Sequence, residues 1–215
     1  MHLLPGPGIW RWLKMQAVPW MRPSISSGNG YETRGTGMKI ICYGDSNTWG
    51  YDPRGYIGGR YETCWPALLA EKTGWLVLNQ GENGREIPRS PVNFPENTDL
   101  LIIMLGTNDL LQRESPEAVC EKMNRFLGSL VLHKEKILLI APPPMQWGEW
   151  VPVRNLIDDS VSLAKHYCTL AESLQVRFAD AGKWNVPLAF DGVHFTQDGH
   201  RAFAAGLIDY LNKGE

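Results

Sequence analysis

Lys39-Ile40-Ile41-Cys42-Tyr43-Gly44-Asp45-Ser46-Asn47-Thr48-Trp49-Gly50 is the stretch of this sequence that decides its fold. A short apolar run rich in β-branched residues ends at Gly44, and an acidic residue, a serine and an amide follow in succession. This pattern is typical of a buried strand that opens into a tight functional loop. Ser46 is the candidate nucleophile.

Composition bounds the class of protein. The chain has 215 residues, of which 43% are hydrophobic and 20% are charged, as in an ordinary globular domain. Its formal net charge of -2 offers no electrostatic footprint for nucleic acid or for an anionic membrane. No apolar run approaches the roughly 20 residues of a transmembrane helix. We therefore expect a small-molecule or glycan-sized substrate and neither a nucleic-acid nor a membrane partner.

The cysteines are scattered without the close pairs that a zinc site requires. A chain of this size does not depend on disulfides, so free and mostly buried thiols are expected. Free thiols favour a reducing compartment, and the N-terminus lacks the pattern of a secretory signal, so the sequence predicts a cytoplasmic location. The cysteines are Cys42, Cys64, Cys120 and Cys168.

Residues 1–37 differ from the rest of the chain because prolines interrupt any helix there, while Met38 stands directly before the first strand. We expect 1–37 to be a flexible or irregular N-terminal extension and 38–215 to form one domain. The alternative is that the tryptophans of the extension form a flap or a partner-binding arm. These are Trp10, Trp12 and Trp20.

Strands and helices alternate along residues 38–215. After the first strand at 39–42, apolar runs predict strands at 75–79, 99–105, 136–141 and 176–179. Apolar residues at helical spacing predict helices at 65–72, capped by Thr63, at 115–131, at 153–174, and from Thr196 onward. The alternation predicts a parallel sheet between helices, a three-layer α/β/α sandwich.

Polar motifs follow three of the later strands. They are Asn79-Gln80-Gly81-Glu82-Asn83-Gly84, Gly106-Thr107-Asn108-Asp109 and Asp191-Gly192-Val193-His194. Ligands of such sheets bind beyond the carboxyl ends of the strands, so these motifs and Ser46 are expected at one site. A nucleophilic serine needs a base, a group that orients the base, and donors for the oxyanion. His194 and Asp191 are candidates for the first two.

Together these motifs resemble the SGNH (GDSL-type) hydrolase family. The matching blocks, in order, are Gly44-Asp45-Ser46, Gly84, Gly106-Thr107-Asn108-Asp109, and Asp191 with His194. The resemblance implies a flavodoxin-like sheet of five parallel strands in the order 2-1-3-4-5 and a cofactor-free esterase. Within the family the chain looks most like the arylesterase and acyltransferase branch, which also suggests a homo-oligomer.

The resemblance also implies a role for each residue. Ser46 is the nucleophile, His194 the base and Asp191 the group that orients it, while the Ser46 and Gly84 N–H groups and the Asn108 amide hold the oxyanion. Taken singly, each has a structural interpretation, such as a turn serine or a loop-bridging amide. Their common order and position after strands favour the catalytic set.

Further residues near the same edge are candidates for a substrate pocket. Its tryptophans could wall an apolar pocket for an acyl or aryl group, or stack on a sugar. Short-chain or aryl esters are therefore the predicted substrates, with carbohydrate O-deacetylation as the alternative and acyl transfer to an alcohol as an added activity. The candidates are Asp45, which we also expect to order the loop, Asn47, Trp49, Trp147 and Trp150.

The glycine-rich segment 50–60 is expected to lack regular structure. It either arches over the site, where Tyr51 could touch substrate, or is merely a surface loop.

Other classes of protein fit less well. No further His/Cys cluster completes a metal site around Asp191 and His194, so no metal is expected. Thr48 stands where a Gly-x-Ser-x-Gly elbow needs glycine, which disfavours an α/β-hydrolase. A flavin or nucleotide binder remains open from the fold, although Asp45 would repel a phosphate. An inactive binder of acylated ligands also remains open, although nucleophile, base and oxyanion donors are all present.

Overall fold

The sheet is built outward from β1, whose residues Ile40 to Gly44 are all buried. The structure, a computed structural model, describes residues 37–55 and 58–213, so the extension expected at 1–37 lies outside the described residues apart from Gly37. The elements in chain order are β1 (Lys39–Gly44), α1 (Ser46–Trp49), β2 (Tyr51–Asp52), β3 (Gly59–Arg60), α2 (Trp65–Thr73), β4 (Leu76–Gly81), β5 (Leu100–Met104), α3 (Thr107–Leu111), α4 (Pro116–Ser129), β6 (Ile137–Ala141), α5 (Arg154–Leu174), β7 (Arg177–Asp180) and α6 (Gln197–Lys213).

Five strands form one parallel sheet in the order β4-β1-β5-β6-β7. Counted among themselves in chain order, these strands lie as 2-1-3-4-5. The predicted α/β sandwich with a parallel sheet is therefore confirmed. One feature was not predicted from the sequence. Strands β2 and β3 pair as an antiparallel ribbon that is separate from the five-stranded sheet. We expected the segment 50–60 to lack regular structure. This expectation was wrong at its two ends, where Tyr51–Asp52 pairs with Gly59–Arg60.

Two hydrophobic cores cover the two faces of the sheet. Ile41, Leu101 and Ile103 point into a core shared with α4 and α5, whereas Ile40 and Ile102 point into a core shared with α2 and α6. Successive side chains of a strand point to opposite faces, so a sheet covered on both sides needs apolar residues at every position. This requirement explains why the strands stand out in the sequence as continuous apolar runs.

The helix starts show which local predictions hold. Ser115 caps α4 by accepting a hydrogen bond from Ala118 N, and Thr196 Oγ1 accepts from Gly199 N at 2.9 Å at the start of α6. The prediction that Thr63 caps α2 was wrong, because the N-cap is Cys64 and makes no side-chain bond. Thr63 Oγ1 instead accepts a hydrogen bond from Gln197 Nε2 at 2.6 Å, which joins the starts of α2 and α6.

The cysteines are free thiols, as predicted, and Cys42 and Cys64 are fully buried. Among the described residues, no helix is long and apolar enough to cross a membrane.

Candidate active site

Helix α1 starts immediately where β1 ends, and this tight junction places Ser46. Asp45 caps the helix, since its Oδ1 accepts a hydrogen bond from Asn47 N at 3.0 Å. The turn requires glycine at position 44, because a Cβ there would lie 2.1 Å from Thr48 Oγ1 and 2.8 Å from Met104 O. Ser46 is therefore the first residue of a helix held against the carboxyl end of the central strands.

The structure brings Ser46, His194 and Asp191 together in one chain of hydrogen bonds. Ser46 Oγ lies 3.0 Å from His194 Nε2, and His194 Nδ1 lies 2.7 Å from Asp191 Oδ2. All three residues are buried. These are the distances and the order that nucleophile, base and orienting carboxylate require.

Asp191 is held in its ionised form. Its Oδ1 accepts hydrogen bonds from Val193 N and His194 N, both at 2.9 Å. Burial alone would raise the pKa of Asp191, but the hydrogen bonds from the His194 ring and from these backbone groups outweigh it and lower that pKa below its usual range. The carboxylate thus fixes the proton on Nδ1 and leaves Nε2 as the acceptor for the Ser46 hydroxyl.

Gly84 and Asn108 lie after β4 and β5, the two strands that flank β1 in the sheet. Asn108 Nδ2 donates one hydrogen bond to Arg85 O at 3.0 Å, which leaves its second amide hydrogen unused by this contact. Gly84 has a φ of 73°, and no atom lies within 4 Å of the place where a Cβ would stand. Among the described residues, neither Ser46 N–H nor Gly84 N–H donates to the protein. Within the described ranges, three N–H groups on this side of Ser46 thus have no acceptor from the protein.

Two charged residues hold this side together, and the first of them, Arg85, was missed in the sequence analysis. Arg85 Nη1 donates to Gly44 O at 2.9 Å, and its guanidinium lies 4.2 Å from the centre of the Tyr43 ring. Asp109 accepts hydrogen bonds from Ile87 N at 3.1 Å and Lys122 Nζ at 3.0 Å. An arginine directly after the glycine motif was the only signal for Arg85.

A strap formed by residues 146–150, after β6, holds the loop that carries Asp191. Backbone hydrogen bonds run from Gln146 N to Gly192 O at 3.0 Å, from Glu149 N to Phe190 O at 3.2 Å, and from Trp150 N to Asp191 O at 3.0 Å. The approach is so close that a Cβ on Gly148 would lie 2.3 Å from Asp191 C. Sequence reasoning missed this role of Gly148.

Aromatic rings flank His194. The Tyr51 ring centre lies 4.6 Å and the Trp150 ring centre 4.9 Å from that of the imidazole. Tyr51 belongs to the ribbon β2-β3, so the segment 50–60 does reach the site. Trp147 stands on the same strap as Trp150 and is 61% exposed.

The other pocket candidates are engaged in contacts with the protein itself. The Trp49 ring lies 5.0 Å from the guanidinium carbon of Arg60. Asp45 and Asn47 are only 1% and 4% exposed, and each makes hydrogen bonds with the backbone. Both side chains thus take part in the local structure around Ser46, and a contribution of Asp45 or Asn47 to a substrate pocket stays a prediction.

Comparison with known proteins gives a consistent picture. The model of the GDSL-like Lipase/Acylhydrolase family matches residues 42–202. The native aryl esterase of M. smegmatis is similar in structure, with a TM-score of 0.66, 26% identity, and coverage of 82% of this chain and 99% of that chain. A putative arylesterase from Agrobacterium tumefaciens str. C58 has a TM-score of 0.68 and 27% identity over 82% of this chain and 99% of its own.

A carbohydrate acetylesterase family member from Sinorhizobium meliloti is similar to the same degree, with a TM-score of 0.69, 25% identity, and coverage of 82% of this chain and 98% of that chain. Among curated protein sequences, none matches this chain significantly.

Proposed function

Because this chain belongs to the GDSL-like lipase/acylhydrolase family and is a carboxylic ester hydrolase, we propose that it cleaves short-chain acyl or aryl esters through an acyl-enzyme on Ser46. The observation that carries this proposal is the unbroken chain of hydrogen bonds from Ser46 Oγ through His194 to Asp191.

The geometry supports a two-step reaction. Ser46 Oγ attacks the ester carbonyl carbon while His194 Nε2 takes its proton, and Asp191 stabilises the imidazolium that forms. The oxyanion accepts hydrogen bonds from Ser46 N–H, Gly84 N–H and the Asn108 amide. The ester C–O bond then breaks, and His194 returns the proton to the leaving alcohol. Water attacks the acyl-enzyme by the same route and releases the acid.

The surroundings of His194 support an aryl leaving group. His194 protonates the leaving alcohol, so that group must lie beside the imidazole, near the rings of Tyr51 and Trp150. Aromatic rings pack well against other rings.

Carbohydrate O-deacetylation is the second candidate function. It is favoured by the structural similarity to the carbohydrate acetylesterase family member and by the exposed ring of Trp147 on the strap, because aromatic faces stack on sugars. Acyl transfer needs no additional group, since an alcohol that takes the place of water can attack the acyl-enzyme.

The test is hydrolysis of 4-nitrophenyl acetate by the wild type, Ser46→Ala and His194→Ala, together with a fluorophosphonate label located by mass. We expect turnover and one label at Ser46 in the wild type, and a loss of at least about 10³-fold in each variant. Acetyl, butyryl and octanoyl aryl esters beside acetylated sugars then define the substrate. A wild type with neither turnover nor label would identify an inactive binder, and activity confined to sugars would select the second candidate.

A further inference from the structure

Asn47 makes two hydrogen bonds to the segment that carries His194. Its Nδ2 donates to Val193 O at 3.1 Å, and its Oδ1 accepts from Phe195 N at 2.8 Å. The partners fix the orientation of the amide, because a carbonyl needs a donor and an N–H needs an acceptor. Asn47, the residue directly after Ser46, thus binds the backbone of the residues directly before and after His194.

These two bonds reproduce the pairing of a parallel β-strand. In such a pair, one residue accepts from the N–H after its partner and donates to the C=O before it. The amide of Asn47 does this around His194, although its own backbone is helical. A side-chain amide carries a donor and an acceptor on one planar group, which suits this position between a carbonyl and an N–H.

The other backbone groups around His194 are already occupied. His194 O accepts from Ala189 N at 2.7 Å, and Val193 N and His194 N both donate to Asp191 Oδ1. These contacts hold the segment to its own loop only. Among the described residues, the amide of Asn47 and the contact of Ser46 Oγ with His194 are the hydrogen bonds that join this segment to α1.

We infer that Asn47 is a positioning residue, which sets the distance between the nucleophile and its base by pairing α1 with the backbone on both sides of His194. This inference rests on the proposed function. It goes further because it states that one buried amide holds α1 in place against a segment 148 positions away in sequence. Asn47 acts through His194 and touches no reacting atom.

The experiment compares Asn47→Ala with the wild type in hydrolysis of 4-nitrophenyl acetate and in thermal unfolding. Misplacement of a catalytic group by about 1 Å can cost about 10²-fold in rate. We expect a fall in kcat of about that size with little change in KM. In the His194→Ala background, Asn47→Ala should leave the residual rate unchanged, because residues that act through one another are not additive.

Asn79→Ala is the matched control. Asn79 also bridges two backbone groups, donating to Thr48 O and accepting from Gly81 N, both at 2.9 Å, but in the described part of the chain it makes no hydrogen bond to the His194 segment. We expect Asn79→Ala to lower the unfolding temperature and keep kcat close to that of the wild type. Equal losses of kcat in both variants would assign Asn47 a merely structural role and overturn the inference.

A spectroscopic reading separates this inference from the proposed function. The proton shared between His194 Nδ1 and Asp191 should give a low-field NMR resonance whether or not the ester is hydrolysed. We expect Asn47→Ala to broaden or shift that resonance and Asn79→Ala to preserve it. An unchanged resonance in Asn47→Ala overturns the positioning role, even in a protein that is active. An inactive wild type whose resonance does depend on Asn47 overturns the proposed function alone.

Discussion

Asp45 is a carboxyl group placed where water does not reach it. It is fully buried, and its Oδ2 has no hydrogen-bond partner among the described residues. Burial raises the pKa of Asp45 from 3.8 to about 6, because the hydrogen bond from Asn47 N and the charge of His194 offset the desolvation only in part. The residue that shapes the nucleophile turn is therefore ionised at a cost to stability.

That cost predicts a pH dependence of stability. Because the folded pKa lies above the unfolded one, the folded state binds more protons between about pH 4 and pH 6, and stability falls as pH rises through this window. Asp45→Asn keeps an acceptor for Asn47 N and removes the titration. Relative to the wild type, the variant should gain about 2 kcal/mol between pH 4 and pH 7.5, measured by urea unfolding. An equal difference at both pH values would contradict the prediction.

The members of the hydrogen-bonded chain from Ser46 through His194 to Asp191 could be predicted from sequence, whereas their supports could not. Ser46, Asp191 and His194 belong to short motifs that follow apolar runs, and local order suffices to find them. Asn47 was predicted only as a possible pocket residue. Its true partners, Val193 and Phe195, lie 146 and 148 positions away, and no local pattern encodes such a pairing.

At the scale of elements, the strap offers a sharp test. Gly148→Ala would place a Cβ 2.3 Å from Asp191 C and from Gly192 N, and backbone atoms cannot rotate away as a side chain can. The strap and the Asp191 loop must therefore separate. We expect a loss in kcat of about 10²-fold on 4-nitrophenyl acetate and a lower unfolding temperature.

Gly128→Ala in α4 is the control for this substitution. Nothing lies within 4 Å of the new methyl group, and alanine is favoured over glycine inside a helix by about 1 kcal/mol. The control should therefore be slightly more stable than the wild type and equally active. If Gly148→Ala behaves like this control, the strap does not position Asp191.

The longer helices and strands were predicted well from the sequence, whereas the shortest ones were missed. The strands of the parallel sheet and the helices α2, α4, α5 and α6 were predicted to within two residues at most ends, because each spans enough residues to show its period. Helices α1 and α3 span 4 and 5 residues and were predicted as loops, since one turn shows no periodicity. The ribbon β2-β3 pairs only two residues on each side and was missed for the same reason.

At the scale of the whole molecule, we expect a substitution in the core on the α6 face to change the stability of the protein and leave its catalytic rate unchanged. Leu207 of α6 is fully buried in the core shared with α2. Leu207→Ala should lower the free energy of unfolding by about 2–5 kcal/mol, since it removes buried methyl groups and leaves a cavity. Below the unfolding transition, kcat should stay near the wild-type value, because α4, α5 and the strap are untouched.

Leu76→Ala provides the surface comparison, because Leu76 is 57% exposed on the edge strand β4. We expect a change within about 0.5 kcal/mol, measured by urea unfolding under the same conditions. If both substitutions destabilise equally, the core on the α6 face does not carry the stability assigned to it.

The contact between Ser46 and His194 joins residues 148 positions apart. Ser46 is synthesised early and His194 late, and α1 cannot be paired until the second segment has been made. A nascent chain that ends before residue 194 therefore lacks the imidazole that lies beside Ser46 in the folded protein. Closing so long a loop is also slow compared with local folding. Ester cleavage is thus the last property that this polypeptide acquires during its biosynthesis.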